Sequence, residues 1–212
     1  MYRISKFEQG SPQWHQDRLG KVTASVFDQV ITKTGKQSSS IEGLINRAVA
    51  ELVTGEPDDF FMSPAMERGS ELEDEAAEFF NFSLGLNLDR IGFVCATDEE
   101  KTDLYFGCSP DGINLKEGYG GEYKCPLAHT HLGYLSSESF PEKYMQQVQG
   151  SMEILDLDRW FFGSYHPSFP SLNMFIERDK EYGEKLRGYL NYAHDEISKR
   201  FEKLKQRVEV AS

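Results

Sequence analysis

CSPDGINLKEGYGGEYKCP, residues Cys108 to Pro126, decides how this chain is read. Asp111 sits in a tight turn, a short apolar run follows, and a Gly-rich reversal at Gly118, Gly120 and Gly121 leads into Glu122, Tyr123 and Lys124 before a proline. Tyr123 and Cys125 alternate with Glu122 and Lys124, so a strand here turns the carboxylate and the ammonium to one face. Asp111 then lies across a hairpin from both. Burying two carboxylates and a lysine unpaired on a sheet surface would be costly, and a divalent cation offsets that cost. Hard oxygen ligands suit Mg²⁺ or Mn²⁺, which also bind phosphate oxygens, while the lysine can orient a water or steady charge growing on phosphorus. A solvated hairpin carrying ordinary surface charge is the plain alternative, and this local pattern alone leaves both open.

Working outward, 212 residues with fifteen Phe, ten Tyr and two Trp suffice to bury a core as one domain, residues 1–212. No apolar run reaches membrane length, and Met1 to Gly20 lacks the basic start and apolar centre of a signal peptide, so a cytoplasmic location is expected. Cys95, Cys108 and Cys125 are scattered without a CxxC motif, which argues against zinc and iron–sulfur clusters and for free buried thiols. The net charge of −12 argues against non-specific binding to nucleic acid, which needs Lys and Arg against phosphate. Bound metal would neutralise part of that acid, and a DNA path can be locally basic within an acidic molecule.

Ser11 before Pro12 predicts a short helix to Leu19 stopped by Gly20, and Thr23 can cap a second helix through Ile31. Trp14, Arg18, Thr23 and Ser25 crowd that corner. Arg18 could fork onto a phosphate with Ser25 and helix amides, or pair with a nearby carboxylate. Lys33 to Ser40 reads as a mobile loop. Ile41, Leu44, Ile45, Ala48, Val49, Leu52 and Val53 mark an amphipathic helix, with Ser39 and Glu42 as a capping box and Gly55 as its stop. Ser63 and Pro64 open one further helix to Leu84. It carries the stripe Leu72, Ala76, Phe79, Phe80 and an acidic remainder, in which Glu73 lies at the stripe's edge and could face the hairpin.

Strands are expected over Asn87–Thr97, Leu104–Cys108, Ile113–Leu115 and Glu122–Cys125, forming a largely antiparallel meander. A loop with His129 and His131 follows, the two histidines being read as surface decoration. Pro141 opens a helix bearing Tyr144, Gln147, Val148, Ser151, Met152 and Leu155, on which Gln147 and Gln149 cannot share a face. Arg159–Tyr165 and Ser171–Glu177 are further strands, and Asp179 caps a long amphipathic helix whose charged last turns could fray or pack on a neighbouring subunit. The expected class is α/β, a mixed α+β arrangement with a central sheet flanked by helices.

The order of these pieces resembles the phage-type YqaJ alkaline exonucleases of the PD-(D/E)XK nuclease superfamily. The motifs are WHQDRLGKVTAS, ERGSELEDEA, CSPDG, GEYKCP and YMQQVQGSM, and the resemblance runs from about Gln9 to Asp179. It implies a restriction-endonuclease-like core in which Asp111, Glu122 and the carbonyl of Tyr123 ligate metal, with two Mg²⁺ ions per site and Mn²⁺ as a substitute. Lys124 would position the attacking water, Glu73 would support the second metal through water, and Gln147 would help orient the nucleophile. Arg18, Ser25 and Ser109 match the residues that hold a 5′ phosphate.

The resemblance further implies a 5′-to-3′ exonuclease that enters at double-stranded DNA ends and degrades the 5′-ended strand to mononucleotides. The 3′ overhang would pass to a phage single-strand annealing protein, and the enzyme would be a homotrimer ring in a bacterial host cell, phage or prophage encoded. The loop Lys33–Ser40 and the region His129–Glu142 do not align with the family. Two other functions stay open: a structure-selective or sequence-specific endonuclease of the same superfamily, and a catalytically silent module that binds DNA or a partner.

Overall fold

Two four-stranded sheets, rather than one, carry the helices in the computed structural model, which describes residues 1–58 and 63–211. The first sheet runs β1 (Tyr2–Ile4), β3 (Val94–Thr97), β4 (Asp103–Cys108), β2 (Val22–Thr23). The second runs β5 (Gly112–Asn114), β6 (Tyr119–Lys124), β7 (Arg159–Ser164), β8 (Leu172–Glu177). The antiparallel meander therefore holds within two pairs only. β3 with β4 and β5 with β6 are antiparallel, but β4 breaks from β5 at Ser109 and Pro110, and β6 pairs in parallel with β7. A parallel neighbour needs a crossover, supplied here by α5 (Ala128–Ser137) and α6 (Met145–Leu155).

Several local expectations hold. The side chain of Ser11 caps α1 (Pro12–Arg18), accepting from the Trp14 amide at 3.2 Å. α2 (Ile41–Thr54) ends on Gly55 in the left-handed conformation, and Asp179 caps α7 (Lys180–Ala211) through the Tyr182 amide at 2.9 Å. All three cysteines are free and buried. Among the described residues no helix is long and apolar enough to cross a membrane.

Others are corrected. The capping box does not form, because Glu42 is drawn to α7, bonding Arg200 at 2.9 Å and the Tyr192 hydroxyl at 3.2 Å. Residues 24–29 make a 3₁₀ helix, and the hydroxyl of Thr23 meets that of Ser25 rather than capping it. The loop after Ile31 folds back on itself through a bridge from Ile31 to Gln37. Regular pairing between 87 and 97 begins only at Val94, apart from a bridge at Asp89 to Ile113. His131 is fully buried in α5, not at the surface. Its Nε2–H donates to the Pro170 carbonyl at 2.8 Å, so its Nδ1 accepts from the Ser164 hydroxyl at 2.8 Å.

The helix expected over 64–84 is two helices, α3 (Pro64–Glu71) and α4 (Glu73–Leu84). Gly69 and Ser70 are poor helix formers, and the Leu72 amide bonds the Gly69 carbonyl, an i to i−3 closure that tightens the turn. The break makes Glu73 the first residue of α4.

β6 is clamped between two cores. Tyr123 and Cys125 on one face pack with Phe80 of α4 and Phe161 of β7, and Phe80 stacks on Tyr123 with centroids 5.5 Å apart. Burial of Phe80 contributes about 1.5–3 kcal/mol. On the other face the Trp160 ring occupies the space a Cβ on Gly120 would need, 2.4 Å away. Gly118 takes φ +75° at the hairpin turn, a conformation that favours glycine. α4 is thus fixed over one side of β6, while Glu122 and Lys124 face α6.

Candidate active site

Asp111 follows Pro110, which has no amide hydrogen and ends the β4 pairing pattern. Gln9 pins that turn, its side-chain amide donating to the carbonyls of Pro110 at 2.8 Å and Ile91 at 2.9 Å. The Asp111 amide bonds the Gly121 carbonyl, and its Oδ2 accepts from the Tyr123 amide at 2.5 Å. Asp111 therefore extends the hairpin by one side-chain rung. In an extended strand a residue's N–H and C=O face the same side, so the Tyr123 carbonyl also faces Asp111.

Glu122 is only 3% exposed. Its Oε1 accepts from Lys124 Nζ at 2.5 Å and from Gln147 Nε2 at 2.6 Å. Gln149, on the other face of α6, instead bonds the Glu177 carbonyl and the Asp179 amide. The structure thus brings Asp111, Glu122, Tyr123, Lys124 and Gln147 into one cluster. Glu73, half-buried at the N-terminus of α4, makes no hydrogen bond to them among the described residues, yet their charges act on it.

Burial, then the charge of Glu122, pushes the Asp111 carboxyl well above its ordinary range, with Lys124 opposing. Burial likewise raises Glu73, with Lys124 opposing and Glu122 reinforcing. For Lys124 burial favours the neutral amine, but Glu122, Asp111 and Glu73 outweigh it and the net shift is upward. The site is a crowded acid cluster steadied by one ammonium.

Beside it lies a cleft of about 290 Å³ lined by Ser25, Asp28, Lys124, Lys143, Tyr144 and Gln147, among others. β2 and β4 are parallel neighbours with Thr23 opposite Gly107, so Ser25 and Ser109 leave the same end of the sheet. The Ser109 hydroxyl is buried without a hydrogen-bond partner, whereas Ser25 is exposed and bonds Thr23. Arg18 stacks on Trp14 with its guanidinium 4.0 Å from the ring, and burial lowers its pKa to about 10 against the pull of Glu51.

Arg18 has no ion pair among the described residues. Glu51, the acid nearest in effect, is held by the amides of Gly20 at 2.8 Å and Asp58 at 3.3 Å. Pairing of Arg18 with a carboxylate, the alternative left open by the sequence, is not what the structure shows. Neither does Arg18 hydrogen-bond Ser25 or Ser109, nor line the cleft. Gln9, Asp28 and Lys143 are site residues that the sequence did not single out. Only the closeness of Lys143 to the expected Gln147 helix hinted at any of them.

The sequence matches the model of the YqaJ-like viral recombinase domain over residues 13–158, more than half of the chain. The chain belongs to that family. It is similar to LHK-Exo, an alkaline exonuclease from Laribacter hongkongensis, with a TM-score of 0.80 at 26% identity over 95% of this chain and 100% of that one. The same values hold for LHK-Exo in complex with dAMP. A phage-related exonuclease from Haemophilus somnus 129PT shares the fold, with a TM-score of 0.64 at 16% identity over 87% of this chain and 96% of that one. No curated protein sequence matches the chain. The fold is the PD-(D/E)XK type of the alkaline exonucleases, and the family places the chain among recombinase nucleases acting on DNA.

Proposed function

We propose that this chain is a Mg²⁺-dependent exonuclease that degrades the 5′-ended strand of linear double-stranded DNA to mononucleotides, leaving 3′ overhangs. The observation that carries the reading is the convergence of Asp111, Glu122 and Lys124, with Gln147 on Glu122, beside an open cleft. LHK-Exo has been crystallised with dAMP, the kind of product such a reaction releases.

Two carboxylates and the Tyr123 carbonyl are a donor set that fits Mg²⁺, with Mn²⁺ as substitute. Among the described residues no three His, Cys, Asp or Glu side chains form a metal cage. Mg²⁺ commonly keeps several waters and takes one or two carboxylates plus substrate phosphate. Asp111 and Glu122 would hold the first ion, and Glu73, at a distance, would support a second through water. When bound, such ions acidify water and neutralise charge on phosphoryl oxygens.

The chain's own residues do the rest. The Tyr123 amide fixes Asp111, Gln147 fixes Glu122, and the Lys124 ammonium stands ready to orient the attacking water and steady the phosphoryl charge. Attack forms a new P–O bond and breaks the bond to the 3′ oxygen of the terminal nucleotide. The strand that remains again begins with a 5′ phosphate. Arg18, with no ion pair among the described residues, and the orphaned hydroxyl of Ser109 would receive that phosphate, together with Ser25 at the same sheet end as Ser109.

A homotrimer ring and delivery of the overhang to a phage single-strand annealing protein in the bacterial cytoplasm belong to the same proposal. Enclosure would retain duplex on a chain of net charge −12 without demanding high affinity. The test is digestion of an end-labelled linear duplex and a covalently closed circle with Mg²⁺. The expected result is labelled mononucleotide from the linear DNA, an intact circle, and no cleavage by Asp111→Asn or Glu122→Gln. Cutting of the circle would make the protein an endonuclease, and inertness with every divalent ion would make it a binding module.

A further inference from the structure

The outer end of the cleft holds a lysine that the reaction above does not use. Lys143 Nζ lies 4.8 Å from the centroid of Tyr144 and 5.5 Å from that of Tyr134, and the two tyrosine hydroxyls are 3.5 Å apart. Tyr144 is in turn backed by Phe162, with centroids 5.6 Å apart. The same Tyr144 ring lies 5.1 Å from Lys124 Nζ. Both ammonium groups therefore neighbour the same ring, and the two distances keep them within about 10 Å of each other.

The two ammoniums are not equivalent. Lys124 is paired with Glu122, whereas Lys143 has no carboxylate within ion-pair distance among the described residues. Its sequence neighbour Glu142 is taken by Lys33 at 3.0 Å. In a chain with 35 acidic and 23 basic residues, an exposed lysine that hydrogen-bonds the hydroxyls of Tyr134 and Tyr144 and has no carboxylate partner among the described residues is set up for an anion from outside.

We infer that Lys143 grips the backbone phosphate adjoining the one cleaved, with Tyr144 as the surface on which the strand rests between them. The inference builds on the proposed nuclease reading. A strand laid across the Tyr144 ring brings successive phosphates to Lys124 and to Lys143, while a base or sugar lies against the aromatic face. Asp28 lines the same cleft and repels a polyanion, so the strand is steered to the lysine side. The ligand is a DNA single strand recognised through its backbone, without sequence preference.

The experiment measures equilibrium binding of a 5′-phosphorylated duplex with a frayed end to Asp111→Asn protein, in Mg²⁺, across a range of salt. Adding Lys143→Gln should weaken binding about tenfold at low salt and reduce the steepness of the salt dependence by about 0.7–0.9, the loss of one phosphate contact. Lys143→Arg should keep the steepness. Tyr144→Leu should weaken binding about tenfold while leaving the steepness of the salt dependence unchanged. If the parent binds DNA and Lys143→Gln matches it in affinity and salt dependence, the assignment falls alone. If the parent binds no DNA, the nuclease reading falls and takes this with it.

Discussion

Lys124 and Arg18 are both cations drawn into the protein, and their surroundings are opposite. Lys124 is ringed by Glu122, Asp111 and Glu73, so its charge is held in place more firmly than in water. Arg18 rests on Trp14 with no ion pair among the described residues, and burial pulls its pKa down to about 10. At Lys124 the protein has already matched the buried charge with its own carboxylates. At Arg18 it has not, and removing a charge without an ion partner from water costs stability that an outside anion would help to restore.

The comparison breaks most visibly at Lys124. Lys124→Met keeps the length and apolar stem of the side chain but leaves the surrounding carboxylates without their ammonium. Single-turnover cleavage should fall by about 10²- to 10⁴-fold, in the range for loss of a positioned proton-handling or charge-stabilising group. Activity close to the unaltered protein would mean that the acid cluster does not rely on that cation.

Arg18→Met sharpens the other half. Cleavage chemistry should survive, while the preference for phosphorylated over unphosphorylated 5′ ends should drop by about tenfold to a hundredfold, the worth of a charged hydrogen-bonding contact. Inorganic phosphate should raise the melting temperature of the unaltered protein by binding only the folded state, and should no longer do so in the variant. If phosphate protects both equally, the unmatched charge at Arg18 is not the receptor.

The two regions also differed in how far their sequence could be read. Around β6 the alternation of Glu122 and Lys124 against Tyr123 and Cys125 is a backbone periodicity, and the structure keeps it to the residue. Gln147 and Gln149 diverged as helical geometry requires. The solitude of Arg18 was not legible. It depends on Glu51, 33 positions away, being occupied by the amides of Gly20 and Asp58. The parallel pairing of β6 with β7 was hidden for the same reason, since it is settled by a crossover through α5, a helix read as loop. The break at Leu72, which sets Glu73 at a helix start, was written in Gly69 and Ser70 but outweighed by the long apolar stripe around them.

A third cation supplies the mild reference case. Arg3 forks onto Asp103, with Nε to Oδ1 at 3.0 Å and Nη2 to Oδ2 at 2.5 Å, at side-chain exposures of 41% and 34%. The hydrogen bond from Arg3 lowers the Asp103 pKa, with burial opposing. A depressed folded-state value means the pair stabilises above the unfolded carboxyl's pKa, about 3.9, and loses that contribution as pH falls through the folded value. Arg3→Gln should therefore cost about 0.2–1 kcal/mol at neutral pH in urea unfolding, less in high salt and nothing once Asp103 is protonated in both states. Its NMR titration should shift the Asp103 midpoint upward. A cost well above that range would mean that a solvent-facing pair behaves like the buried cluster at Lys124, and that burial is not what separates the cations of this molecule.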